Sequence, residues 1–285
     1  MPPLQRPRGE IKPYANVFAI DLHAALLDQL PQALDALKSV PLTEGNLSSL
    51  RSEHGVYQLF HAGKPVYIGK SQESLRSRLN QHRRRCMGRL GIRIDDMAFR
   101  CLYVDKFVDA ASPESVLIKK YRREGLAPWN IDQGFAPKDV GHGRSLGKPG
   151  KWFLDRPVDH SIKIEVTGAG RPMAVRSALD ALKSAVPFDL FRFATEGSGS
   201  AENKASVADY VDREVVLEAG ATPLMSHLRQ VVAALPIGWQ ATVGPPGVQI
   251  YREEVNYAYA IDGWRHGSQG VLRLERGKAL PANEK

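Results

Sequence analysis

The chain has 285 residues, 43% hydrophobic and 25% charged, with a net charge of +8 and two cysteines. This is the composition of an ordinary soluble protein of about two domains. No apolar run approaches the roughly eighteen residues of a membrane span. Met1 to Pro13 lacks a signal-peptide core, and Cys86 and Cys101 offer neither a CxxC pair nor a disulfide framework, which together fit a cytoplasmic protein.

In chain order, residues 1–13 read as a flexible arm and Phe18 to Leu37 as a helix. Val56–His61 and Pro65–Gly69 are two β-rich runs separated by Ala62-Gly63-Lys64, a hairpin with a three-residue loop. Pairing His61 with Pro65 sets Leu59 opposite Tyr67 and Tyr57 opposite Gly69. Side chains alternate across a strand, so Tyr57 and Tyr67 then share a face. Ser71 to Cys86 lacks Pro and Gly and reads as a helix capped by Ser71. Arg78 and His82, four apart, stand on one face of it, roughly 6 Å apart at Cβ. Ala111 to Tyr121 reads as a helix with Pro113 and Glu114 in its first turn, and Pro128-Trp129-Asn130 as a loop.

Beyond Arg156 the pattern changes. Ser161–Thr167 alternates like a strand, Pro172–Ala185 is an amphipathic helix, and 197–204 is a flexible loop. Val215–Glu218 and a helix over Pro223–Leu235 echo that order weakly. Strands follow at Gln240–Val243, Val248–Arg252, Tyr257–Ile261 and Val271–Leu274, with turns at 244–247 and Asp262-Gly263. Gly168-Ala169-Gly170 reads as a plain turn, since it lacks the longer phosphate-loop fingerprint. The expected fold is therefore α+β: residues 14–156 as one domain, and 161–285 as a second compact α+β domain joined by a polar linker.

Within the first domain, Gly55-Val56-Tyr57 and Tyr67-Ile68-Gly69 precede Arg78, His82, Glu114 and Asn130. Either tripeptide alone carries no weight, but the ordered set resembles the GIY-YIG nuclease superfamily. That resemblance implies a small antiparallel sheet with flanking helices and metal-dependent phosphodiester cleavage by Tyr57, Tyr67, Arg78, His82, Glu114 and Asn130. Glu114, the one carboxylate of the set, is the expected ligand of a hydrated Mg²⁺, with Mn²⁺ as a substitute. Arg78 would stabilise the transition-state charge. Tyr57 is the candidate general base, with His82 relaying or accepting the proton. Tyr67 and Asn130 would position water and phosphate.

Arg78-Leu79-Asn80-Gln81-His82, Glu114-x-x-Leu117-Ile118, Trp129-Asn130 and the following Gly134-Phe135 and Gly141-His142-Gly143-Arg144 are most similar to type II restriction endonucleases of the Eco29kI family. This implies cleavage of both strands of a short GC-rich palindrome by a homodimer on duplex DNA. Other readings are a GIY-YIG nuclease of repair or of a mobile element, and a catalytically silent DNA-binding module. Residues 161–285 have no counterpart in that family and are expected to modulate rather than catalyse.

Charge agrees with a polyanionic partner. Residues 1–160 hold 25 Lys and Arg against 17 Asp and Glu, whereas 161–285 hold 14 of each. The cations cluster near the candidate site, at Arg76, Arg83, Arg84, Arg85, Arg89, Lys119 and Lys120, and are expected to neutralise DNA phosphates without reading sequence.

Overall fold

The computed structural model describes residues 22–104, 118, 120–121, 123–130, 135, 148–195, 207–210, 212–274 and 276–277, with side chains from residue 29 onward. The N-terminal arm, most of the helix expected over Ala111–Tyr121 and the 197–204 loop lie outside these residues.

The first region contains α1 (Leu22–Asp35), β1 (Val40–Pro41), α2 (Glu44–Ser48), β2 (Gly55–His61), β3 (Lys64–Ser71), α3 (Leu75–Cys86) and β4 (Met97–Tyr103). Its four strands form an antiparallel sheet in the order β1-β4-β2-β3. Period-two alternation along β2 sends Tyr57 and Leu59 into a core shared with Leu75, Leu79 and Cys86 of α3. Val56 faces the other way, packing with Ile68, Leu30 and Leu34. The sheet is thus covered on both faces. Strand β4, which sequence reasoning missed, pairs along the whole length of β2 and makes it a central strand.

Two local expectations are corrected. Ser71 ends β3, paired with Gly55, and Ser74 caps α3 by accepting from the Ser77 amide at 3.3 Å. The hairpin turn is two residues long, with Ala62 at φ 49° and Gly63 at φ 74°, the left-handed pair that matches strand twist. His61 consequently pairs with Lys64, and a register shift between Leu59 and Phe60 restores the expected Leu59–Tyr67 and Tyr57–Gly69 pairs.

The second region follows α4 (Lys151–Asp155) and contains β5 (Lys163–Ile164), β6 (Pro172–Ala174), α5 (Val175–Ala185), β7 (Phe191–Phe193), β8 (Glu214–Val216), β9 (Thr222–Pro223), α6 (Leu224–Ala234), β10 (Trp239–Val243), β11 (Val248–Arg252), β12 (Asp262–Gly267) and β13 (Gly270–Arg273). The echo noticed in the sequence is a repeated strand–strand–helix–strand unit whose halves pair crosswise, β5 with β9 and β6 with β8. Buried Val175, Ala178, Leu179 and Leu182 of α5 correspond in spacing to buried Leu224, His227, Leu228 and Val231 of α6. A five-stranded sheet, β13-β12-β10-β11-β7, completes the region, and its β7–β11 pair is parallel. Pro172 to Ala174, expected as helix, pairs as strand β6.

Tyr257–Ile261 was expected as strand and Asp262-Gly263 as turn; the structure reverses them. The Ala260 amide turns back to the Tyr257 carbonyl at 3.0 Å. Gly263 lies inside β12 because a Cβ there would meet the Ala241 carbonyl oxygen at 2.6 Å, so only glycine permits that approach.

The stretch between the regions is not a free polar linker. Val158 is fully buried. Its amide donates to the Pro245 carbonyl at 3.2 Å, the Asp159 amide to Gly88 at 2.9 Å and the Leu90 amide to Pro157 at 2.9 Å.

Candidate active site

The hairpin builds the floor of the site. Tyr57 of β2 and Tyr67 of β3 share one face, ring centroids 6.1 Å apart. Gly69 lies opposite Tyr57, where a Cβ would sit 2.4 Å from the Tyr57 hydroxyl and 2.8 Å from the Tyr67 ring. At the start of β2, a Cβ on Gly55 would overlap the Leu102 carbonyl oxygen at 2.0 Å. The outer glycines of the two tripeptides are therefore steric requirements. One admits β4 and the other admits the phenol.

Helix α3 supplies the rest. Leu75, Leu79, His82 and Cys86 form its buried face, which turns His82 toward the sheet with its Nε2 2.6 Å from the Tyr57 hydroxyl. Arg78, one turn earlier and half-buried, donates its Nε to the same oxygen at 3.3 Å and its Nη1 to Gln81 at 2.9 Å. Burial pushes the His82 pKa well below its ordinary value, and the Arg78 and Arg85 charges lower it further. A neutral imidazole accepts at one nitrogen; in the tautomer protonated at Nδ1, the Tyr57 O–H donates to Nε2 while the phenol oxygen accepts from Arg78. Tyr57 and His82 are 0% and 1% exposed. Arg78 is thus the more accessible member of the three.

An aromatic box closes the far side. Phe135 stacks on His82 at 4.8 Å and 19°, and its ring also meets Tyr67 at 4.8 Å, Trp129 at 4.9 Å and Trp152 at 4.8 Å. No periodic signal marks Phe135 or Trp152 as site neighbours, because neither belongs to the hairpin or to α3.

Asn130 holds the backbone of β3. Its Oδ1 accepts from the Ile68 amide at 2.8 Å and its Nδ2 donates to the Ile68 carbonyl at 2.7 Å. β3 is an edge strand, so this side-chain amide occupies the place of a neighbouring strand. Tyr67 is 5% exposed within the core. Glu114 lies outside the described residues, as does Lys119. Among the described residues there is no group of three or more His, Cys, Asp or Glu side chains that could hold a metal ion. A hydrated Mg²⁺ needs only one or two carboxylates besides water and phosphate oxygens, so a single Glu114 suits the chemistry of that ion.

The predicted cations divide into two groups. Arg76 and Arg84 are exposed on α3, the former bound to the Leu50 carbonyl at 2.9 Å. Arg83 is half-buried, and Lys120 lies 5.8 Å from the Tyr121 ring. Arg85 and Arg89, at 3% and 4% exposure, face the protein instead of solvent. Arg85 donates Nε and Nη2 to Asp189 at 2.9 and 2.8 Å. Arg89 donates Nη1 to the Arg156 and Pro245 carbonyls, both at 3.1 Å, and Nη2 to Pro246 at 3.0 Å. Burial lowers the Arg89 pKa to about 10. These two arginines are corrected from surface phosphate contacts to interior struts. Burial likewise raises the Cys86 thiol to about 12 and Cys101 to about 11, which leaves both unreactive.

Among the described residues no helix is long and apolar enough to cross a membrane. No curated protein matches the chain. The family model of the GIY-YIG catalytic domain matches residues 53–127, so the span that holds the two glycine-framed tyrosines, Arg78, His82 and Glu114 is similar to a GIY-YIG catalytic domain.

Proposed function

We propose that the protein is a site-specific DNA endonuclease of the type II restriction class, hydrolysing phosphodiesters of duplex DNA as a homodimer on a palindromic site. The observation that supports the chemistry is the hydrogen-bonded array Arg78–Tyr57–His82 inside the matched segment. With the His82 proton on Nδ1, the phenol oxygen of Tyr57 can take a proton from the attacking water as its own passes to the bare Nε2. Arg78 holds that oxygen in place and, being the more accessible, presents its guanidinium to the phosphoryl group. Tyr67 packs beside both rings and fixes their spacing. Glu114 would hold a hydrated Mg²⁺, or Mn²⁺ in its place, and the ion would supply Lewis-acid stabilisation of charge on the phosphoryl and leaving oxygens. The restriction assignment rests on the motif likeness around Arg78–His82 and Trp129–Asn130. The exposed cations Arg76 and Arg84 supply sequence-independent affinity.

The test is digestion of plasmid and phage DNA by the purified chain in Mg²⁺. Discrete fragments with one common end sequence are expected. Cleavage confined to branched or damaged DNA would replace the restriction reading with a repair one, and binding without any cleavage would leave a DNA-binding module. The Glu114→Gln variant should lose cleavage while retaining duplex affinity within a few-fold, because the substitution removes ligand charge but little contact area. Retained cleavage above a tenth of wild type would remove Glu114 from the site.

A further inference from the structure

We infer that Asp189, in the second region, is a positioning residue for the nuclease site. The inference rests on the reading of Tyr57, Arg78 and His82 as the catalytic array.

Asp189 lies between two residues that belong to different cores. Phe188 packs with the helices α5 and α6, and Leu190 packs in the core that holds Tyr57, Tyr67 and α3. From that joint its Oδ2 receives two donors from Arg85. The third nitrogen of Arg85, Nη1, donates to the Phe135 carbonyl at 3.1 Å. The Phe135 ring is the one stacked on His82. A continuous path of strong contacts therefore runs from Asp189 through the Arg85 fork to Phe135, and from that ring to the imidazole that faces Tyr57.

The path has little slack. The Arg85 and Asp189 side chains are 4% and 14% exposed, and the second Asp189 oxygen is buried 3.9 Å from Arg89 Nη2. Two cations thus depend on one carboxylate in a place with little water, and removing one partner of such a group leaves an uncompensated buried charge. Arg85 and His82 are three apart on the same helix, so a shift of the guanidinium moves the helical turn that carries the imidazole. Arg89 extends the brace into the 245–246 turn. Residues beyond 160 thereby complete the active site without touching substrate, which revises the expectation that they only modulate. It also means that a chain ending near Arg156 would lack the carboxylate that Arg85 and Arg89 share.

The experiment compares full-length wild type with Asp189→Asn, with Arg85→Lys, and with Asp180→Asn as a control on an exposed carboxylate of the same region. Each is measured for folding by circular dichroism, duplex affinity by anisotropy, single-turnover cleavage in Mg²⁺, and the ring ¹⁵N signals of His82 in the DNA-free protein. Asp189→Asn should fold, bind duplex within about threefold of wild type, cleave at least tenfold more slowly, and shift the His82 signals; Asp180→Asn should match wild type in all four. Arg85→Lys keeps the buried cation but cannot hold Asp189 and Phe135 together, so it should lose rate in the same way, and it decides the matter if Asp189→Asn does not fold. Normal single-turnover rate with unmoved His82 signals in a folded variant would overturn the inference. If wild type cleaves no DNA, the nuclease reading has failed, while the His82 signals still report whether Asp189 positions the ring.

Discussion

Gly69 lies across the hairpin from Tyr57 with no room for a side chain between them: a Cβ there would sit 2.4 Å from the phenol hydroxyl. The close approach lets the Tyr57 oxygen reach His82 at 2.6 Å and Arg78 at 3.3 Å simultaneously. A methyl group must push the ring away, and in a core packed on all sides the displacement passes to the hydroxyl.

Gly69→Ala should therefore cost cleavage more than stability. A rate loss of about 10²-fold, the scale of one misplaced acid–base group, is expected in single-turnover assays, with duplex affinity unchanged. Gly45→Ala, in α2 with nothing within 4 Å of the added carbon, should leave the rate untouched. A Gly69→Ala enzyme of normal rate would show that the Tyr57 oxygen need not lie between His82 and Arg78.

The protonation state of His82 gives a pH test. Its pKa is held well below the ordinary 6.5 by burial first, then by Arg78 and Arg85. The proton acceptor thus stays available in mildly acidic solution, and the acid limb of the kcat/KM profile should fall well below pH 6.5. Arg78→Gln removes one of the charges that depress it, so whatever activity remains should show an acid limb at higher pH. The same shift bears on stability. The unfolded imidazole gains its proton near 6.5 while the folded one does not, so the unfolded chain binds more protons below that pH. Stability should be flat with respect to this group above about pH 6.5 and fall as pH drops toward the folded value; buried His227, also lowered, adds in the same direction. A thermal midpoint that rises between pH 6.5 and 5 would contradict both assignments.

Asn130 separates a structural role from a chemical one. Its amide makes two hydrogen bonds to the Ile68 backbone, so Asn130→Ala leaves an edge-strand N–H and C=O without that partner. A loss of about 1–3 kcal/mol is expected, read as a drop of about 2–4 °C in melting midpoint per kcal/mol for a domain of this size. Cleavage by the fraction still folded should decline less than with Gly69→Ala. An unchanged midpoint together with abolished cleavage would return Asn130 to the positioning of water or phosphate.

These cases show what the linear pattern could carry. The shared face of Tyr57 and Tyr67 was legible because alternation and a short loop set register, and the bulge after Leu59 compensated for a turn one residue shorter than expected. The shared face of Arg78 and His82 was legible from four-residue spacing alone. Strand β4 was not, because Met97–Tyr103 carries apolar residues on both faces, with Met97, Phe99, Cys101 and Tyr103 on one core and Leu102 on the other, which blurs any alternation. Phe135 stood in the sequence only as part of a motif and Asp189 not at all, and the contacts both make with α3 were hidden for a different reason. Each reaches α3 from 50 or more residues away, Arg85 to Phe135 across 50 and Arg85 to Asp189 across 104, and no local period records such a contact. The same blindness made Arg83-Arg84-Arg85 look like one basic run.

The structure divides that run, and the division is testable by salt dependence. Arg84 is exposed on α3 and free to approach a phosphate, whereas Arg85 is buried on Asp189 and Phe135. If Arg84 neutralises one phosphate, Arg84→Ala should weaken specific and nonspecific duplex binding alike and reduce the slope of log affinity against log salt by about 0.9, with the melting midpoint unchanged. Arg85→Ala removes the counter-charge of a buried carboxylate, so it should lower the midpoint severely, through the loss of roughly 3–5 kcal/mol of stability typical of breaking a buried pair. Its effect on the salt slope of the remaining folded protein should be small, because a guanidinium that never met the phosphate releases no counterion when it is lost. An Arg85→Ala protein with normal stability and a reduced slope would place this side chain at the DNA surface and remove the strut between the nuclease site and the second region.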